Sequence, residues 1–177
     1  MSFAKEALSA VRTTLEAVLK GHQQPSIKFV DPRFKELCGI FVTLKKHGEL
    51  RGCIGFVKGI EPLNKAIQEM AVAAATHDPR FSPVVFEELE NIKIEVSVLS
   101  PMTEVKNTDE IKIGRDGLMI IYGHRSGLLL PQVPVEWGWN LDEFLDNICL
   151  KAGLPKGSHL LPESRLLKFS ADIFSEE

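Results

Sequence analysis

The chain has 177 residues, of which 44% are hydrophobic and 25% charged, with 13 Gly, 10 Pro and a formal net charge of −3. These proportions are those of a folded globular domain and exclude a disordered, collagen-like or low-complexity chain. The longest apolar run, Met70 to Ala75, is far short of the roughly 20 residues that cross a bilayer. Near Met1, Glu6 interrupts the apolar residues and no basic-then-apolar signal pattern occurs, so a cytoplasmic location is expected and a membrane partner is not. Lys and Arg are scattered, which removes the electrostatic footprint of nucleic-acid binding. Cys38, Cys53 and Cys149 form no C-x-x-C pair; an odd, sparse set suits a reducing compartment and does not suggest structural zinc.

Phe3 to Lys20 carries apolar residues at three- and four-residue steps behind Ser2, an N-cap type, and ahead of Gly21, a stop. Gly39 to Leu44 is rich in β-branched and aromatic residues. Lys45 to Glu49 predicts a hairpin loop into a second strand, Leu50 to Val57. Pro62 opens a helix rich in alanine, which Pro79 forces to end near His77. Ile92 to Leu99 alternates apolar and polar residues and predicts a strand with one buried face. Ile111 to Ile113 and Leu118 to Tyr122 flank Gly114-Arg115-Asp116-Gly117 and predict a second hairpin, and Gly127 to Val133 predicts a further strand. Asn140 with Glu143 forms a capping-box pattern ahead of a helical stripe that Gly153 ends; Leu167 to Ile173 alternates as a last strand. Hairpins mixed with three helices, without regular β-α-β order, predict an α+β fold with a mostly antiparallel sheet. No linker separates independent domains, so one domain is expected over residues 1–177.

Leu50-Arg51-Gly52-Cys53-Ile54-Gly55, reading LRGCIG, is joined in order by GIFVTL upstream and by HDPRFSP at His77 to Pro83. IEVSVLSP at Ile94 to Pro101, GLLLPQV at Gly127 to Val133, KAGLP at Lys151 to Pro155 and a closing ADIFSEE follow. Nearly the whole chain thus resembles the AMMECR-type family. The resemblance implies an α+β fold with a larger part, a smaller subdomain and a cleft between them. It carries no established activity. Some bacterial members are associated with Memo-like proteins and a radical S-adenosylmethionine enzyme, which implies those proteins as partners and an enzymatic or accessory role. The chain departs from the family where a Trp commonly follows KAGLP; Ser158-His159 stands there.

Strand alternation puts Arg51, Cys53 and Gly55 on one face and Leu50, Gly52 and Ile54 on the other. Gly52 and Gly55 mark a bulge, or a close approach by a ligand or by another backbone. Cys53 is then a nucleophile at a pocket mouth or a small buried hydrophobe. Arg51 two residues away contributes only about 1.3 kcal/mol towards a thiolate, so a committed thiolate needs an imidazole as well, and His77 is the candidate. His77 otherwise caps its helix, where the dipole favours a cation. Asp78 and Arg80 form a shape-fixing ion pair, or Arg80 holds an anionic group of the substrate. Glu95, mid-strand, is a general base or a structural partner of Arg51. Gln132 presents its amide to a ligand or stabilises a turn.

No Walker loop, G-x-G-x-x-G, H-E-x-x-H or G-x-S-x-G occurs, no histidine spacing suggests a metal, and no cofactor is indicated. The readings that stay open are three. They are a thiol-dependent enzyme acting on a small anionic substrate through Arg51-Gly52-Cys53, a ligand- or partner-binding accessory module, and a scaffold whose signature strand only packs.

Overall fold

The computed structural model describes residues 2–177. Helix α1, Phe3–Val18, starts where Ser2 Oγ accepts the Lys5 N–H, and it turns Phe3, Ala7, Ala10, Val11 and Leu15 inward. Strands β1, Gly39–Lys46, and β2, Glu49–Phe56, form the predicted hairpin. Its loop is only two residues, His47 and Gly48, both at positive φ (52° and 81°), the backbone twist that matches paired strands. Helix α2, Leu63–Thr76, ends at His77 as Pro79 requires. Strand β3, Ile92–Leu99, keeps its predicted bounds.

Beyond β3 come β4, Thr103–Glu104; β5, Asp116–Tyr122; β6, Arg125–Leu129; α3, Gln132–Trp137; α4, Leu141–Lys151; and β7, Arg165–Ser175. The chain is α+β, with every registered strand pair antiparallel. Among the described residues no helix is long and apolar enough to cross a membrane.

Two compact units divide the chain. The first comprises residues 1–99 and 172–177, the second residues 100–171. In the first, β1 lies between β2 and β3, and α1 and α2 pack on Ile40, Val42, Leu44, Ile94 and Val96, all fully buried. The second unit pairs β5 with β6 on one side and with the early residues of β7 on the other, while β4 joins β7. Phe144, Leu145 and Ile148 of α4 close its core against Leu118 and Ile120.

Two expectations fail in the second unit. Ile111 to Ile113 is no strand. The buried Asp116 carboxylate accepts the Lys112 N–H at 2.9 Å and two N–H groups of Arg115, while Asp116 N–H returns to the Lys112 carbonyl at 3.0 Å. GRDG is therefore a self-capped turn leading into β5, and the hairpin is the next one, at Gly123-His124 between β5 and β6. Gly127 to Val133 also fails beyond Leu129, because Pro131 starts α3 and Gly138, in the left-handed region, stops it.

Candidate functional site

Gly52 faces α2 so closely that a Cβ there would lie 2.1 Å from the Ala74 carbonyl oxygen. Ile54 and Phe56 pack on the same core, which leaves Cys53 and Gly55 on the opposite face of β2; Arg51, unpaired at a register shift between β1 and β2, falls outside this alternation. A Cβ at Gly55 would meet the Ile40 carbonyl oxygen at 2.1 Å and the Phe41 Cα at 2.6 Å. Close approach by another backbone accounts for both glycines, and the bulge also expected lies beside Gly52, where Arg51 has no partner in β1; no space for a ligand is needed to explain them.

Cys53 is a half-buried free thiol paired across the hairpin with Thr43. The Thr43 hydroxyl donates to Cys53 Sγ at 3.2 Å. The Cys53 N–H donates to Asp78 Oδ2 at 2.9 Å, and Arg80 Nη2 reaches the Cys53 carbonyl at 3.4 Å. Asp78, at the end of α2, is 5% exposed and also accepts from Arg80 N, Nε and Nη2. The Arg80 guanidinium, aided by the backbone N–H groups of Cys53 and Arg80, holds the Asp78 carboxyl far below the usual carboxylate range. Asp78 in turn raises Arg80. Arg80 spends Nε and Nη2 here, and its side chain is 55% exposed. Asp78 therefore acts from inside, fixing a cation and the Cys53 peptide together.

The other predicted residues are placed differently. Arg51 is committed to Glu88: Nε donates to Oε1 at 3.1 Å and Nη2 to Oε2 at 2.9 Å, while Nη1 takes the Ser82 carbonyl at 2.9 Å. Its guanidinium ties β2 to the segment after α2. Arg51, and after it Lys46, hold the Glu88 carboxyl down at about 2. Of the two readings of Glu95, the pairing with Arg51 does not form. Glu95 accepts from Lys45 Nζ at 2.8 Å and Ser175 Oγ at 3.0 Å, and it faces Thr43 across β1, two strands from Cys53. Two strand spacings are about 10 Å, so Glu95 is not a base for the sulfur.

His77 is exposed and caps α2 through its N–H to Ala73. Its Nδ1 lies 2.9 Å from Thr76 Oγ1, whose own proton goes to the Val72 carbonyl at 2.7 Å, so Nδ1 is the donor and Nε2 is left free. Among the described residues no hydrogen bond joins His77 to Cys53. Gln132 belongs to the second unit, at the start of α3, with its Oε1 buried and without a partner. In that unit His159, where the chain departs from the family pattern, sits with Nδ1 3.7 Å from the buried Cys149 sulfur, and burial pushes its pKa down. Among the described residues no group of three or more His, Cys, Asp or Glu is arranged to hold a metal ion.

Thr43 and Glu88 were absent from the sequence reading. Thr43 lies in GIFVTL and is reachable only through the hairpin register. Glu88 stands in a stretch of three acidic residues, Glu87, Glu88 and Glu90, with nothing to single it out.

The AMMECR1 family model matches residues 8–174. A protein of Methanothermobacter thermautotrophicus is 50% identical over 150 residues, covering 81% of this chain and 78% of that protein. Protein MJ0810 of Methanocaldococcus jannaschii is 46% identical over 178 residues, covering 96% and 88%. The crystal structure of the uncharacterized protein PH0010 from Pyrococcus horikoshii superposes with a TM-score of 0.85 at 43% identity, covering 97% of this chain and 90% of that one. The α+β architecture and these matches agree: the chain belongs to the AMMECR1 family.

Proposed function

We propose that the face of β2 around Cys53 is a thiol-dependent catalytic site for a small anionic substrate. Cys53 is the nucleophile and Arg80, rather than Arg51, holds the anion. The observation that carries the reading is the setting of the sulfur. It is half-buried, accepts a hydrogen bond from the Thr43 hydroxyl, and belongs to a residue whose carbonyl is reached at 3.4 Å by a guanidinium that Asp78 holds from the inside. A cation so fixed needs no reorganisation when an anion arrives, and guanidinium suits carboxylate and phosphate. Asp78 is saturated by its four donors and Glu95 is engaged two strands away, so the thiol proton leaves to solvent or to the substrate itself.

Iodoacetamide followed by intact-mass and peptide analysis tests this. Cys53 is expected to be modified first, while Cys38 (8% exposed) and Cys149 (0%) stay silent in the folded protein. A panel of small carboxylates and phosphates is expected to contain members that slow the modification, and Arg80→Gln is expected to abolish that protection. An unreactive Cys53, or a reactive one that no member of the panel protects, refutes the proposal. Modification that Cys53→Ser removes without loss of thermal stability separates chemistry from packing.

A further inference from the structure

We infer that Thr43 is a positioning residue that sets the reactivity of the Cys53 sulfur through its hydroxyl. The inference rests on the reading of Cys53 as a reactive thiol and adds the residue that tunes it.

Thr43 occupies the middle strand of the first unit, with β2 on one side and β3 on the other. It is 9% exposed, so it is held away from solvent and is not a surface contact for substrate. Its backbone belongs to two ladders, and the hydrogen-bond partner found for its hydroxyl is Cys53 Sγ, with the hydroxyl donating. A buried hydroxyl keeps its partner, because leaving the donor unmade costs more than the bond itself returns. The β-branch at Thr43 stiffens χ1, so the O–H vector is fixed before any chemistry starts.

The sulfur is constrained from the other side as well. Asp78 holds the Cys53 N–H, and Arg80 reaches the Cys53 carbonyl. The thiol thus sits between a fixed donor and a fixed peptide, with little freedom to swing away from either. A hydrogen bond to an anionic acceptor is roughly twice as strong as one to a neutral group. The Thr43 hydroxyl therefore favours the sulfur as an attacking anion over the sulfur as a neutral thiol. When the sulfur later departs from a covalent adduct as an anion, the same donor favours its departure. Thr43 does this without touching the substrate.

The experiment measures the rate of Cys53 modification by iodoacetamide at neutral pH in the full chain, for wild type, Thr43→Val and Thr43→Ser. Thr43→Val keeps the shape and removes the hydroxyl; the rate is expected to fall about tenfold. Thr43→Ser restores the donor and is expected to return to within about twofold of wild type. Thr43→Ala gives the same readout if the valine variant does not fold. A wild-type rate in the variants lacking the hydroxyl overturns the role of Thr43 and leaves the reading of Cys53 standing. Equal slowing in Thr43→Val and Thr43→Ser also overturns it, because the methyl packing would then be what matters. A wild-type sulfur that does not react at all overturns the reading of the site, and this inference falls with it.

Discussion

Gly52→Ala is the sharpest test of why the signature strand contains its first glycine. The added Cβ would stand 2.1 Å from the Ala74 carbonyl oxygen and 3.1 Å from its carbon, where approaches under 3.0 Å essentially never occur. The obstacle is helix backbone, not a flexible side chain, so α2 must back away from β2 by about 1 Å in an interior packed at crystal density. The moving surface includes Ala66, Ile67, Ala71 and Ala74, all at most 1% exposed. Overpacking of this kind costs about 1–3 kcal/mol, and a backbone obstacle places the cost at about 3. For a chain of this length that is a fall in Tm of roughly 6–12 °C. Urea unfolding and thermal melting of the variant beside wild type measure it. A loss of less than about 1 kcal/mol refutes the packing argument, and Gly52 would then need its other explanation, space for a ligand.

Two further outcomes follow from the ion pairs. Glu88 is held at about 2 by Arg51, against an ordinary 4.5. The unfolded chain therefore binds the proton first, and this contribution to stability is present above pH 4.5 and is lost as the pH falls towards 2. In Glu88→Gln, urea midpoints measured from neutral down to about pH 3 are expected to start lower and decline less steeply; a decline parallel to wild type refutes the assignment. Glu176 clamps Arg12 of α1 and accepts the Ile94 N–H of β3 at 2.9 Å, while its own N–H donates to the Ile94 carbonyl. Glu176→Ala leaves a part-buried guanidinium and a strand N–H short of a partner, and is expected to cost about 2 kcal/mol by urea unfolding; a change under about 0.5 means the clamp is decorative.

Local pattern revealed most of the first unit. The helix of alanines, its end before Pro79 and the alternation of β3 follow from short-range rules, and each kept its place. The second unit was less legible because a single buried carboxylate, Asp116, captured the turn that looked like a hairpin. The candidate site shows a subtler limit. Counting outward from the two-residue turn at His47-Gly48 pairs Lys46 with Glu49 and Lys45 with Leu50, and would put Thr43 opposite Gly52. A bulge between Leu44 and Lys45 shifts the register by one, leaves Arg51 as the extra residue, and brings Thr43 to Cys53. Arg51 stands at that irregularity and engages Glu88, while the cation that reaches Cys53, at its carbonyl, is Arg80, from a segment distant in sequence.

The path of β7 has a consequence for how the molecule comes into being. Its early residues complete the second unit, and only then do residues 172–177 join the first. On the ribosome, α1 and β3 are made early but wait for everything from Ser100 to Ala171 before Glu176 can neutralise Arg12. Until that moment β3 offers an unpaired border, the kind of surface that invites wrong partners. The nascent chain is most in need of protection in this interval, and the arrival of residues 172–177 ends it.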